Sequence, residues 1–306
     1  MKKLLIISTI IFLCGLLSYN IDENNDQDDQ PVFTDLTGPY LGQTPPGNTP
    51  IRFSTAEFLS NSSWGWHGAP EFSPDGKEMY FTVMELVNPT MKIYYSKQVE
   101  GRWTKPVVTP FSQSGRCSNP RFSNDGSTIY FIKRGDADFL YKTIRNGDGW
   151  SNPIAIHIPL PQGCTNGWQF SITDDETIYF ELWTSDSQKI YYSKKENEIY
   201  SQPEPVFPDN ATYDEYAPYI APNGDYIIFV SNYTGGYGQH DLLISFKEIA
   251  GSWSDWINLG STINTIGEDW MPNISYDGQY FFFVTSKPGD YGDNPYWVST
   301  SFIGNF

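Results

Sequence analysis

Basic residues are scarce in this sequence. Its 306 residues include 19 Lys and Arg against 36 Asp and Glu, which gives a formal net charge of −17. A protein that binds duplex nucleic acid needs a basic face that displaces counterions from the phosphates. The charge therefore argues against nucleic acid as a partner, and it favours solubility.

Cysteine and histidine are rare as well, with three residues of each. Neither the Cys/His spacing of a zinc site nor an EF-hand calcium loop occurs. The sequence also lacks a G-x-S-x-G elbow, a phosphate-binding loop and a zincin helix motif. We therefore predict no metal and no cofactor.

Long segments with helical periodicity are missing too. Aromatic residues make up 17% of the chain, with 26 Gly and 22 Pro. This composition favours strands and turns over helices. We expect an all-β protein.

The N-terminus resembles an export signal. Lys2 and Lys3 precede a short apolar run, Leu4 to Leu17, which is too short to be a convincing membrane span. We predict a secretory signal over residues 1–19 and location in the periplasm or at the cell surface. Cys14 follows Leu13, where a lipoprotein signal would have a small residue, so lipid attachment at Cys14 remains an alternative.

An acidic tether and a single domain follow the signal. Asp, Glu, Asn and Gln dominate residues 21–30, a composition that cannot bury enough apolar surface to fold. We predict a disordered tether over residues 20–37 and one domain over residues 38–306.

Five segments of this domain repeat the pattern P-x-F-S-x-D-G or a variant of it. Each is followed by an apolar strand such as Met79-Tyr80-Phe81. The anchor residues of the repeat lie about 50 residues apart, a spacing typical of propeller blades; they are Pro70, Pro120, Trp168, Pro218 and Pro272. Asp-Gly between two apolar strands predicts a tight hairpin, because Gly tolerates positive φ.

A third strand and an outer edge strand complete the first four units. The fifth unit ends after its third strand, and the segment Pro50 to Leu59 has the pattern of the missing one. We therefore predict a five-bladed β-propeller of four-stranded antiparallel blades, closed by its own N-terminal strand. Trp103, Trp150 and Trp253 recur before the outer strands, and we expect them to pack between blades.

The P-x-F-S-x-D-G-x-x-x-Y-F repeat resembles that of the TolB-like periplasmic β-propellers. The opening Gly38 to Gly47 and the glycine-rich stretch Gly235 to Gly238 are similar to segments of exported TolB-like proteins of Bacteroidetes-type genomes. The resemblance covers Gly38 to Phe306. It implies the fold and export, but not one activity, because propellers have many functions.

In this fold, ligands usually bind where the inner strands begin around the central channel. Aligning the repeats places a set of polar and aromatic residues at that end. Those with predicted roles are His67, Glu215, Asp269 and Tyr216 as catalytic groups, and Arg116, Arg134, Lys287, Trp66, Trp270 and Asn166 as substrate-binding groups. His240 is a weaker candidate.

These residue types fit an anionic, hydroxyl-rich ligand. Guanidinium groups match carboxylate and sulfate bidentately, and aromatic rings stack on sugar faces. A carboxylate pair suits glycoside hydrolysis, and a His–Tyr pair suits elimination. The alternative is structural: charges at these positions also pair across a water-filled channel, and the tryptophans also serve packing.

Cys117 and Cys164 occupy nearly equivalent positions on adjacent blades. An exported protein meets an oxidising compartment, so we predict a disulfide between them.

Two functions remain open from the sequence. The first is a monomeric carbohydrate-active lyase, dehydratase or hydrolase that acts on an anionic oligosaccharide or polysaccharide. The second is a non-catalytic TolB-like binding or scaffold propeller of the cell envelope.

Overall fold

Hairpins, three of which turn at Asp-Gly and one at Asn-Gly, build five antiparallel sheets in the computed structural model of the chain. The structure describes residues 32–54, 56, 58, 64–85, 87, 90–208, 212–286 and 294–306. The first two strands, which precede the repeat, are β1 (Phe33–Thr37) and β2 (Ile51–Arg52). Short 3₁₀ helices lie at Pro39–Gly42, Pro110–Ser112 and Thr300–Asn305.

Blade one has the inner-to-outer order β3, β4, β5 and β7. Its strands are β3 (Trp64–Phe72), β4 (Glu78–Glu85), β5 (Thr90–Val99), β6 (Arg102–Thr104) and β7 (Val107–Val108). The far end of β5 also pairs with β6, and β6 pairs with β1. Residues 33–37, predicted as the end of a disordered tether, are therefore a strand of this sheet, because β6 offers them a free edge.

Blades two and three repeat this order. Blade two contains β8 (Arg116–Phe122), β9 (Thr128–Arg134), β10 (Leu140–Asn146), β11 (Gly149–Trp150) and β12 (Ile154–Ile156). Blade three contains β13 (Thr165–Ile172), β14 (Ile178–Trp183), β15 (Gln188–Ser193), the short hairpin β16 (Lys195–Glu196) and β17 (Ile199–Tyr200), and β18 (Glu204–Pro205).

Blades four and five each form a four-stranded sheet. Blade four contains β19 (Glu215–Ile220), β20 (Tyr226–Ser231), β21 (Asp241–Phe246) and β22 (Ile257–Asn258). Blade five contains β23 (Asp269–Ile274), β24 (Tyr280–Thr285) and β25 (Pro295–Ser299). Its fourth strand is β2, which places Ile51 opposite Trp297.

The five-bladed propeller and its closure by the N-terminal strand are thus confirmed. The closing strand lies within the predicted segment, whose last residue, Leu59, is outside the described residues. Phe53, next to β2, is fully buried, and its N–H donates to the Pro295 carbonyl at 2.8 Å. Its ring contacts those of Phe282 and Trp297, each with centroids 5.4 Å apart.

The hydrophobic core lies between the blades. Among the described residues, buried side chains form five clusters, each drawn from two neighbouring blades. Trp103 is fully buried between blades five and one, Trp150 packs between blades one and two, and Trp253 between blades three and four. The predicted packing role of these tryptophans is confirmed.

Candidate functional site

A bulge interrupts each inner strand just before its anchor residue. On β8 the pairing with β9 shifts between Ser118 and Arg121, and the other four inner strands shift at the same repeat position. A bulge bends the strand and re-aims the side chains on either side of it. Residues before the bulge surround one end of the channel, which we call the mouth, whereas residues after it line the channel.

Two arginines flank one tryptophan at the mouth. Arg116 and Arg134 lie opposite each other on β8 and β9. Their guanidinium carbons lie 5.3 and 4.1 Å from the centroid of the Trp168 ring, within the range of cation–π attraction. We call Arg116, Trp168 and Arg134 the Arg–Trp–Arg cluster.

The two arginines differ in exposure. Arg116 is exposed, and among the described residues it pairs with no carboxylate. Arg134 is half-buried and donates to the carbonyls of Asn166 and Gly167. Burial lowers the pKa of Arg134, and the nearby carboxylate of Glu181 opposes that effect. Arg116 is thus the cation of the cluster that is open to a ligand.

The carboxylate of Glu181 joins the cluster to blade four. Although Glu181 is buried, its oxygens accept from the backbone N–H of Trp168 at 2.9 Å and of Ala217 at 2.7 Å. Burial raises the pKa of Glu181, while these amides and Arg134 act in the opposite direction. A Cβ on Gly167 would lie 1.9 Å from Oε2 of this carboxylate, so only glycine fits there.

A second group of polar residues adjoins Ala217. The Tyr216 hydroxyl donates to Asp214 at 3.2 Å, and its ring meets the His240 imidazole edge-on with centroids 5.2 Å apart. Nδ1 of His240 lies 3.4 Å from a Glu268 oxygen. Burial, and secondly the Asp214 carboxylate, raise the pKa of Tyr216 well above its ordinary value. Tyr216 therefore stays protonated at neutral pH, with its hydroxyl bonded to Asp214.

Two predicted catalytic carboxylates are not in this arrangement. Glu215 is 1% exposed and Asp269 0%. Glu215 accepts from the Ile190 N–H at 3.0 Å and lies 3.5 Å from Nζ of Lys189. Asp269 accepts from the Thr265 N–H at 2.5 Å. Both carboxylates thus bond to neighbouring backbone amides, and their catalytic role stays a prediction.

The tryptophans predicted as sugar platforms are packed instead. Trp66 is 4% exposed, stacks on Phe81 with centroids 4.3 Å apart, and donates to the Gly68 carbonyl at 2.6 Å. Trp270 packs half-buried against the cluster between blades four and five. Trp66 therefore has no free face for a ligand.

The other predicted site residues are Asn166, His67 and Lys287. Asn166 donates to the neighbouring Gly167 carbonyl at 3.0 Å. His67 is half-buried on β3, opposite Thr82, and its functional role stays a prediction. Lys287 lies outside the described residues.

The predicted disulfide is absent, since Cys117 and Cys164 are both free thiols. Cys117 is buried in the cluster between blades one and two, whereas Cys164 packs against the cluster between blades two and three. Each thiol thus faces the blade that precedes its own, and a blade separates them. Burial raises the pKa of Cys117 to about 11.

Charges inside the channel pair with each other. Nη1 of Arg121 lies 3.2 Å from a Glu71 oxygen, and the Asn273 amide donates to the same carboxylate at 2.9 Å. Arg121 and Glu71 thus form a charge pair of the kind that the structural alternative describes, although neither is among the predicted site residues.

The described residues contain neither a metal-binding cluster nor a membrane-spanning helix. No cluster of three or more His, Cys, Asp or Glu in this part of the chain could hold a metal ion. None of its helices has the length and apolar character to cross a bilayer.

Comparisons with known proteins show likeness in fold only. No family model and no curated protein sequence matches the chain. Among solved structures, TolB from Acinetobacter baumannii is 21% identical over 63% of this chain, with a TM-score of 0.44; this chain spans 43% of it. Putative TolB from Agrobacterium tumefaciens is 19% identical over 72% of this chain and 70% of its own, with a TM-score of 0.48.

Propeller enzymes are similar to the same degree. Oligogalacturonate lyase from Vibrio parahaemolyticus is 13% identical, with a TM-score of 0.43, over 79% of this chain and 68% of its own. These values concern the fold, which the ring of five sheets establishes by itself, and they do not distinguish an enzyme from a binding protein.

Sequence reasoning undervalued Trp168, His240 and Glu268. Trp168 is the one anchor residue of the repeat that is not proline, and that exception was the available signal. His240 and Glu268 meet because a parallel bridge joins the residues that directly precede β21 and β23, and no local pattern indicates this bridge.

Proposed function

We propose that this chain is an exported β-propeller that binds an acidic oligosaccharide at its mouth. The observation that carries the proposal is the Arg–Trp–Arg cluster. Arg116 is exposed and without a carboxylate partner in the described part of a chain whose net charge is −17. A guanidinium binds carboxylate or sulfate in bidentate fashion, and the indole of Trp168 beside Arg116 helps to hold this cation in place.

The binding test uses titration calorimetry with tetragalacturonate and with a neutral tetrasaccharide of galactose. We expect binding of the acidic ligand only. Arg116→Gln should weaken it about tenfold or more, since a hydrogen bond to a charged group contributes about 1.5–3 kcal/mol. Lys105→Gln removes an equally exposed charge on the outer wall and is the matched control. Equal binding of the acidic and neutral sugars, or no effect of Arg116→Gln, would contradict the proposal.

A second candidate function is eliminative cleavage of the bound uronate chain. The observation in its favour is the contact of Tyr216 with His240. The His240 imidazole, whose Nδ1 lies 3.4 Å from a Glu268 oxygen, would act as the base. The base would take the proton from C5, the C4–O bond would break as a C4–C5 double bond forms, and Tyr216 would protonate the leaving oxygen.

Elimination yields an unsaturated uronate with a characteristic ultraviolet absorbance. We expect this absorbance to appear with oligogalacturonate, to vanish in Tyr216→Phe and His240→Ala, and to be independent of an added cofactor. Loss of one acid–base group costs about 10²–10⁴-fold in rate. If wild type binds the sugar without forming the double bond, the chain is a binding propeller, as in the alternative function.

The proposed function also includes export of the chain from the cytoplasm. Its support is the signal-like segment over residues 1–19. N-terminal mass spectrometry of the protein from its native cells should find a chain that begins after this segment, or a lipid on Cys14. An intact Met1 in the mature protein would contradict export by this signal.

A further inference from the structure

A groove of about 1030 Å³ runs along the outer wall between blades three and four. Five aromatic side chains contribute to its lining: Tyr192, Phe207, Tyr233, Trp253 and Trp256. We call it the wall groove. It extends from the hairpin that carries Trp253 up to Tyr233 and Gly235, in the loop between β20 and β21.

The corresponding space between blades one and two is closed. There Arg145 lies over the Trp150 ring, 3.9 Å from its centroid, and pairs with Glu78 at 2.7 Å. The indole of Trp150 also donates to the Tyr80 hydroxyl at 2.9 Å. These bonds connect the two blades across their outer surface.

Between blades three and four, the same positions lack the closing carboxylate. Lys247 is the bridge partner of Trp253, as Arg145 is of Trp150, and its ammonium lies 4.7 Å from the ring centroid. Thr177 occupies the repeat position of Glu78. Consequently no carboxylate among the described residues forms an ion pair with Lys247.

A second cation, Lys194, acts on Lys247. Lys194 lies over the Tyr192 ring, with its ammonium 5.6 Å from the centroid. Desolvation, and secondly repulsion by Lys194, lower the pKa of Lys247. Neither ammonium group forms an ion pair among the described residues, in a chain of net charge −17. Lys247 lines the wall groove, and Lys194 lines the adjoining pocket, whose other lining residues include Asp174, Asp175 and Asp225. An acidic ligand would relieve this repulsion.

The wall groove leads towards the mouth. Tyr233, at its upper end, packs edge-on against Tyr213 with centroids 5.2 Å apart. The next residue, Asp214, accepts the hydrogen bond from Tyr216 of the mouth. Tyr213 and Asp214 thus link the upper end of the wall groove to Tyr216 of the mouth.

We propose that the wall groove binds acidic sugar units of the same chain that occupies the mouth, so that the ligand is a polysaccharide rather than a short oligosaccharide. This inference rests on the proposed function. Carboxylates on the rim, Glu204 and Asp255, favour a sugar over an acidic peptide, because sugar hydroxyls donate to them whereas acidic side chains repel them.

The test compares the affinities of tetragalacturonate and of a galacturonate oligomer of about twelve units, long enough to link two sites. In the full-length protein we expect the longer ligand to bind about tenfold more tightly or better. Lys247→Gln combined with Lys194→Gln should abolish this advantage without changing the affinity for the tetramer. Lys105→Gln should change neither, and the melting temperatures of all variants should agree with that of wild type.

The outcomes separate the two proposals. If Arg116→Gln weakens both ligands but the lysine variants leave the length advantage intact, the mouth binds and the wall-groove proposal is overturned. If Arg116→Gln leaves the tetramer affinity unchanged, the function proposed for the mouth fails. Binding of hexaglutamate that depends on Lys247, without a length effect of the sugar, would also overturn the wall-groove proposal in favour of an acidic peptide.

Discussion

Replacing Phe53 by Ala should destabilise the whole propeller, although this residue precedes the first repeat. Its side chain is fully buried and contacts the rings of Phe72, Phe282 and Trp297, which belong to blades one and five. Truncation leaves a cavity between those blades, and a buried Phe→Ala change costs about 3–5 kcal/mol. In a domain of this size that corresponds to a fall in melting temperature of about 6–20 °C.

The measurement is urea-induced unfolding followed by tryptophan fluorescence. Ile51→Ala is the matched control, because Ile51 lies on the same closing strand with 42% of its surface exposed. We expect this control to lose at most about 1 kcal/mol. If both variants lose the same small amount, the segment does not hold the ring closed in solution, and the reasoning from burial is refuted.

Two further predictions concern titrating groups. Burial raises the pKa of Glu181 above its ordinary 4.5, so its contribution to stability is full below that pH and is lost as the pH rises through the folded-state pKa. The stability of wild type relative to Glu181→Gln, measured by urea unfolding, should therefore fall as the pH rises above about 4.5, and a rise in stability would contradict this. A thiol reagent at mildly alkaline pH should modify the partly exposed Cys164 well before the buried Cys117, whose pKa is about 11. Mass spectrometry identifies the labelled cysteine. Protection of both cysteines until reduction would instead indicate a disulfide.

The fold could be predicted from the sequence because the patterns that determine it are local. Turn chemistry and alternation of apolar residues recur in each repeat and determine strands and hairpins. Even the third repeat, which lacks the turn glycine, keeps its hairpin, since Glu176 adopts a φ of 59° there. Closure by the N-terminal strand followed from counting strands.

The residues of the candidate site could be predicted less well from the sequence. Neighbouring residues on a strand face opposite sides, so a small error in placing the bulge exchanges a buried side chain for an exposed one. Glu215 is buried whereas Tyr216 faces the mouth, and sequence alone gave both a catalytic role. Contacts between blades, such as that of His240 with Glu268, depend on how the sheets pack and leave no periodic pattern in the chain.

Pairing of β2 with β25 also has a consequence for the order of folding. Hairpins within a blade join residues close in sequence, whereas this last pair joins residues almost a whole propeller apart. Contacts at such separation form slowly, because much chain entropy is lost before they contribute. We expect the other blades to assemble as the chain emerges, with both edges of the ring unpaired until its last strand has been made.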